Sequence, residues 1–470
     1  MLATLALSAL SLAPCNLLDP ARVGSVEARC GTLTMPEDPE SPDGPVVGLF
    51  VAVIPAPTPV DPAQALTVLA GGPGGAATEF YAGFRQAFAE AARQVDIVLV
   101  DQRGTGRSAR MDCPLPEEPA DTLSAEVARA LSRECLAILP HDPRFFTTSV
   151  AVQDLDAVRA ALGYERLHVY GASYGTRVAQ HYARRFPERT ASLILDGVVP
   201  ADVSLAPAIP LNAQATLDAV FARCAANAEC AERFGDLAGD FAGLRARLAA
   251  EPAEFTMPHP RTGEPTTARL SEVEVAFGVR LLSYQDASQA LLPLLIHEAA
   301  RGRPAGLAAQ GALAIEGLSE ALALGMHNAV VCTEDVPFIE WTDELRTALG
   351  ETYLGVRQVE TMQAMCDPWP VGRRDEDLRV PLSGGVPTLV LSGEYDPVTP
   401  PAYGDAVAYH LENARHLVAP GMGHGVAAAG CAPQLLANFV RTTDPQGLDG
   451  ACLERLSPQP FFLDYVGPAP

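Results

Sequence analysis

Leu167-His168-Val169-Tyr170-Gly171-Ala172-Ser173-Tyr174-Gly175-Thr176 is the stretch on which the reading of the fold turns. Apolar residues dominate up to Ala172, as in a buried strand. Thr176-Arg177-Val178-Ala179 then opens a helical pattern that runs to Arg185-Phe186-Pro187. Gly171 and Gly175 flank the serine, so strand and helix can approach closely across a strained turn. The turn predicts a Ser173 hydroxyl held out at the carboxyl end of a sheet. The helix N-terminus behind it favours developing negative charge.

Outward from this turn, short apolar runs at 46–54, 66–69, 95–100, 191–195, 387–391 and 415–418 read as further strands. A helix is expected over 150–162, with Ser149 as its N-cap. Strands alternating with helices imply a mostly parallel sheet covered on both faces, with the active site at the carboxyl ends of the strands. From 201 to 383 the chain turns Ala/Leu-rich and helical without core strands, as an inserted helical cap would. The expected division is therefore a core segment at 15–200, the cap at 201–383 and a second core segment at 384–470.

Two loops after early strands stand out. Gly71-Gly72-Pro73-Gly74-Gly75 is either a plain turn or a place where backbone N–H groups face a ligand. In Asp101-Gln102-Arg103-Gly104-Thr105-Gly106-Arg107-Ser108, Asp101 and Arg103 are expected to brace the loop as an ion pair.

A serine hydroxyl is a weak nucleophile until a base takes its proton and an acid orients that base. Asp396, in Gly393-Glu394-Tyr395-Asp396-Pro397-Val398, and His424, in Gly421-Met422-Gly423-His424-Gly425, lie on loops after late strands. Ser173, Asp396 and His424 are thus the expected nucleophile, orienting acid and base. His168, His181, His327, His410 and His416 sit mid-strand, mid-helix or outside such loops and read as structural. The backbone N–H of Tyr174 and that of Gly72 are the expected oxyanion donors.

The 470 residues carry a net charge of −24, and all 33 basic residues are Arg. That balance argues against nucleic acid or an anionic membrane as partner. Residues 1–14 read as a secretory signal too short to span a bilayer, and no later segment reads as an integral membrane span. The ten cysteines contain no C-x-x-C and fall into the neighbouring pairs 15–30, 113–135, 224–230, 332–366 and 431–452. Together these features point to a secreted or periplasmic protein, with Cys15 either lipidated or disulfide-bonded. The chemistry calls for neither metal nor cofactor.

The glycine loop, the 101–108 loop, the Ser173 turn and Gly393-Glu394-Tyr395-Asp396-Pro397-Val398-Thr399-Pro400 together resemble one group of α/β-hydrolases. That group contains the proline iminopeptidases and tripeptidyl aminopeptidases. The resemblance covers both core segments, including a C-terminal region like that of the tripeptidyl aminopeptidases, and the cap only loosely. Ala70 stands where proline iminopeptidases usually have His, which leans toward the secreted tripeptidyl branch. The resemblance implies an α/β-hydrolase fold and release of residues from a free peptide N-terminus through an acyl-enzyme. Holding the substrate ammonium then calls for carboxylates. Glu334 and Asp335 of Cys332-Thr333-Glu334-Asp335 are either those anchors or solvated loop acids. A carboxylesterase acting on small acyl esters is the alternative, and a non-catalytic binding module the remote one.

Overall fold

The computed structural model describes residues 10–20, 24–114 and 120–467. Its central sheet contains nine of the chain's strands: β1 (Ala13–Leu18), β2 (Ser25–Pro36), β3 (Val46–Ile54), β4 (Gln64–Leu69), β5 (Asp96–Val100), β6 (Arg166–Ala172), β7 (Thr190–Asp196), β10 (Thr388–Gly393) and β11 (Ala414–Ala419). Across the sheet they run β1-β2-β3-β5-β4-β6-β7-β10-β11. Every pairing from β5 to β11 is parallel, whereas β3 joins β5, β2 joins β3 and β1 joins β2 antiparallel.

The period of two along these strands divides the core. Leu66, Val68, Ile97, Leu99, Ile194, Leu389 and Leu391 point to one face, where Tyr81 and Phe88 of helix Ala77–Phe88 meet Leu435 and Phe439 of helix Ala432–Thr442. Val98, Val169, Leu193 and Val390 point to the other, against Val152 and Leu155 of helix Thr148–Leu162 and Val178 and Tyr182 of helix Tyr174–Arg185. Both faces are therefore apolar, as a sheet between two helical layers requires. Each such fully buried side chain contributes about 1.5–3 kcal/mol.

Between β7 and β10 the chain runs through a series of helices with its own apolar cluster, in which Leu217, Leu244, Val279, Leu295 and Tyr353 take part. The same connection contains an antiparallel hairpin, β8 (Ala253–Pro258) with β9 (Pro265–Leu270), in a stretch expected to be helical. The hairpin stands apart from the central sheet.

Three local expectations need correction. Helix Thr148–Leu162 starts after Thr147, and Ser149 does not cap it; the Ser149 hydroxyl accepts the N–H of Asp375 instead. Arg103 does not pair with Asp101: it reaches Asp154, Nε to Oδ2 at 2.6 Å and Nη2 to Oδ1 at 2.8 Å. Asp101 accepts from the N–H and hydroxyl of Thr78 and the N–H of Arg107. In both cases a partner far along the chain displaces the one next door. Of the expected signal segment, residues 1–9 lie outside the described residues, and Leu10 and Leu12 pack against the core.

All ten cysteines are paired, as 15–30, 113–135, 224–230, 332–366 and 431–452. Among the described residues no helix is long and apolar enough to cross a membrane.

Candidate active site

Ser173 stands between β6 and helix Tyr174–Arg185 with φ 54° and ψ −124°. Few residues other than glycine hold a positive φ, so the turn is a strained one. Two backbone bonds fix it: Ser173 N–H donates to Asp196 O at 2.9 Å and Thr176 N–H to Ser173 O at 2.9 Å. The turn is as tight as its glycines suggest, for a methyl on Gly171 would lie 2.3 Å from the Gly175 carbonyl oxygen. Ser173 Oγ has no hydrogen-bond partner among the described residues and is free to meet one.

β10 and β11 supply the other two groups. Asp396, 2% exposed, is gripped by its own loop: Val398 and Thr399 N–H donate to Oδ1 at 2.9 and 2.8 Å, and the Thr399 hydroxyl donates to Oδ2 at 2.7 Å. The same Oδ2 lies 2.7 Å from His424 Nδ1. With Nδ1 engaged, Nε2 is the imidazole nitrogen left for chemistry. Burial works to lower the His424 pKa, but the charge and hydrogen bond of Asp396 outweigh it and hold the imidazole above its ordinary value. Gly197, just past β7, leaves room for the ring: a methyl there would sit 3.0 Å from His424 Cε1 and from Thr399 Oγ1.

The glycine loop after β4 lies against the serine, since a methyl on Gly71 would stand 2.9 Å from Ser173 Cβ. It is held there by the segment that leads into helix Leu324–Glu334. Ala323 N–H donates to Gly74 O at 3.0 Å, and His327 Nδ1 lies 3.0 Å from Pro73 O. The structure thus brings Gly72 and the first residue of the nucleophile helix, Tyr174, to the same end of the sheet as Ser173.

Neither Glu334 nor Asp335 is a solvated loop acid; both are buried. Asp335 Oδ1 accepts from Leu205 N–H at 3.0 Å and faces Arg177 Nη1 at 3.4 Å. Glu334 accepts from the N–H and the hydroxyl of Thr148, both at 2.7 Å, and that hydroxyl lies 2.7 Å from the Tyr174 phenol. Burial pushes the Glu334 carboxyl up to about 7.

Most of the other histidines are occupied elsewhere: His168 with Ser192, His181 with Asp375, and His416 with Asp405 and Ser392. His410 closes helix Pro401–Tyr409.

Four neighbours of the site were not expected from the sequence. Asp196, whose carboxylate holds the loop after His424, ends a fully buried strand straight after the apolar run Leu193-Ile194-Leu195, and that misplaced acid was a readable signal. Thr399 stood inside the quoted loop, and its hydroxyl lies 3.1 Å from His424 Nδ1. Arg280 sits in helix Glu272–Leu282 and Tyr284, whose carbonyl accepts His424 N–H at 2.7 Å, in the turn just past its end, with no motif around either.

The alpha/beta hydrolase fold family matches residues 64–427 of the chain, and the chain belongs to that family. It is 28% identical over 498 aligned residues to the serine protease Hip1 of Mycobacterium tuberculosis, covering 92% of this chain and 89% of that protein. It is 33% identical over 193 residues to the tripeptidyl aminopeptidase of Streptomyces lividans, covering 36% of this chain and 35% of that one. It is also 35% identical over 131 residues to a probable proline iminopeptidase of Streptomyces coelicolor, covering 28% and 32%. The protein is a serine hydrolase.

Proposed function

We propose that the protein is an extracytoplasmic serine aminopeptidase that removes residues or short peptides from a free N-terminus. His424 Nε2 takes the Ser173 proton as Oγ attacks the scissile carbonyl, and Asp396 holds the imidazolium that forms. The N–H groups of Tyr174 and Gly72 stabilise the oxyanion, each worth about 3–4 kcal/mol. His424 then gives its proton to the leaving amine, and water releases the acyl group by the same steps in reverse roles. The residues between β7 and β10 serve as a cap that selects the acyl group.

The observation that carries the peptidase reading is Glu334. It is a fully buried carboxylate with no cation at ion-pair distance among the described residues, joined through Thr148 to the residue after the nucleophile. A substrate ammonium would supply the missing charge. Asp335 already has Arg177 and the N–H of Leu205, so Glu334 is the anchor we retain. Relatives named as a serine protease and as aminopeptidases support the same reading. Five cysteine pairs support an oxidising compartment.

Turnover of matched peptide anilides with free and acetylated N-termini, beside short acyl esters, tests this. Cleavage confined to free N-termini is the expected result. Ready ester turnover with every anilide inert would make the protein a carboxylesterase instead.

A further inference from the structure

Arg280, on helix Glu272–Leu282, is buried (9% exposed) and has no carboxylate at ion-pair distance among the described residues. Its Nη2 donates to the Tyr284 phenol at 2.7 Å, and its guanidinium carbon lies 5.5 Å from the Phe277 ring centre and 5.6 Å from that of Tyr284. Nε is buried with no hydrogen-bond partner among the described residues. Tyr284 does not neutralise the cation, because burial raises its phenol above the ordinary value and keeps it protonated. A buried guanidinium without a counter-charge is costly, and the planar fork is shaped for a carboxylate.

Its position says where that carboxylate would come from. Tyr284 is the residue whose carbonyl holds His424 N–H, and its ring stands 5.3 Å from the His424 ring. The Arg280 charge also bears on both His424, paired with Asp396, and His327, which touches the glycine loop at Pro73. His424 protonates the leaving amine, so what packs against it borders the leaving fragment rather than the acyl fragment.

We propose that Arg280 binds a carboxylate on the leaving fragment of the substrate, which makes short peptides with an acidic group just beyond the scissile bond the preferred substrate class. This rests on the aminopeptidase reading above and adds a second charged anchor at the opposite end from Glu334. The carboxylate is either the C-terminal one of a short leaving fragment or an acidic side chain on its first residue.

Both sources can be separated with tetra- and pentapeptides bearing free N-termini. Each is made as the C-terminal acid and the amide, and the amides carry Asp or Asn after the bond cut, as located by mass spectrometry. We expect wild type to favour either acid over amide or Asp over Asn by at least about tenfold in kcat/KM. Arg280→Gln should bring that ratio close to one, and Arg280→Lys should restore part of it. The ratio within one variant is unaffected by loss of folded enzyme. Equal wild-type rates for both pairs, or equal losses on both members in Arg280→Gln, would overturn the proposal while leaving the aminopeptidase reading intact. If no peptide is cleaved, that reading fails. The anchor is then judged by inhibition of ester turnover with the same acids and amides, where equal inhibition overturns it.

Discussion

Asp196 Oδ1 accepts the backbone N–H of Val426 at 2.8 Å, which ties the loop carrying His424 to the end of β7. Oδ2 of the same carboxylate accepts from Ala427 N–H at 2.9 Å and from the Tyr170 phenol at 2.8 Å. The Asp196 carbonyl meanwhile holds the N–H of Ser173. One residue therefore positions the nucleophile with its backbone and the base with its side chain.

Replacing it tests that double role. Asp196→Asn puts an N–H₂ where an acceptor is needed, so the His424 loop shifts. We expect kcat to fall by roughly 10²-fold with KM little changed, the cost of misplacing a catalytic group by about 1 Å. The unmade bonds should also cost about 1–3 kcal/mol of stability. Steady-state kinetics with a thermal melt would show this, and an unchanged kcat would remove Asp196 from the account.

The His424–Asp396 contact sets the pH response. A base must be unprotonated to accept the serine proton, and Asp396 holds the His424 pKa above the ordinary value of about 6.5. The acidic limb of kcat/KM should therefore lie above pH ~6.5, with activity rising as pH rises through it. Asp396→Asn should move the limb down and cut kcat by about 10⁴-fold. A limb that stays in place in the variant would assign it to another group.

Glu334 predicts a second pH effect, of the same sign and on binding. With its carboxyl pushed up to about 7, lowering the pH below that point neutralises it and removes the partner of the substrate ammonium. KM for peptides with free N-termini should rise below pH 7 more steeply than for blocked substrates. Glu334→Gln should cut the preference for a free N-terminus by about 10- to 100-fold, the value of about 1.5–3 kcal/mol for a hydrogen bond to a charged group. An unaltered preference in the variant, measured on the anilide pairs, would return Glu334 to a purely structural role.

The Cys332–Cys366 bridge ties helix Leu324–Glu334, which ends in the proposed anchor, to helix Gly355–Cys366. Its loss in a Cys332→Ser/Cys366→Ser double variant should lower stability by about 2–4 kcal/mol. It should also raise KM for free-N-terminus peptides, because the Glu334 end of the helix loosens. A denaturant melt and kinetics on the same preparation check both, and an unchanged KM would show that the helix is placed without the bridge.

What was readable in the chain followed how locally it was encoded. The parallel strands β4 to β7 and β10 to β11 are short apolar runs between turn residues, so their place and direction followed from pattern alone. β2 escaped because it is half exposed: Glu27, Arg29 and Thr32 alternate with inward residues and blur an apolar run. The hairpin β8–β9 was hidden likewise, with exposed Glu254, Thr256 and Thr267. Ser173, Asp396 and His424 were found through turn chemistry and order along the chain. Arg103–Asp154 and Asp196–Val426 join residues 51 and 230 apart, and nothing local announces either pairing. Arg280 was invisible for a plainer reason: in sequence it is one Arg in a helix, and its distinction is what does not surround it.

Covalent labelling of the nucleophile tests the central claim most directly. A fluorophosphonate probe, followed by peptide mapping, should place one adduct on Ser173 in wild type and none in Ser173→Ala. That variant should also lose turnover of every substrate by roughly 10⁴-fold or more. Labelling at another residue, or full activity in Ser173→Ala, would contradict the account.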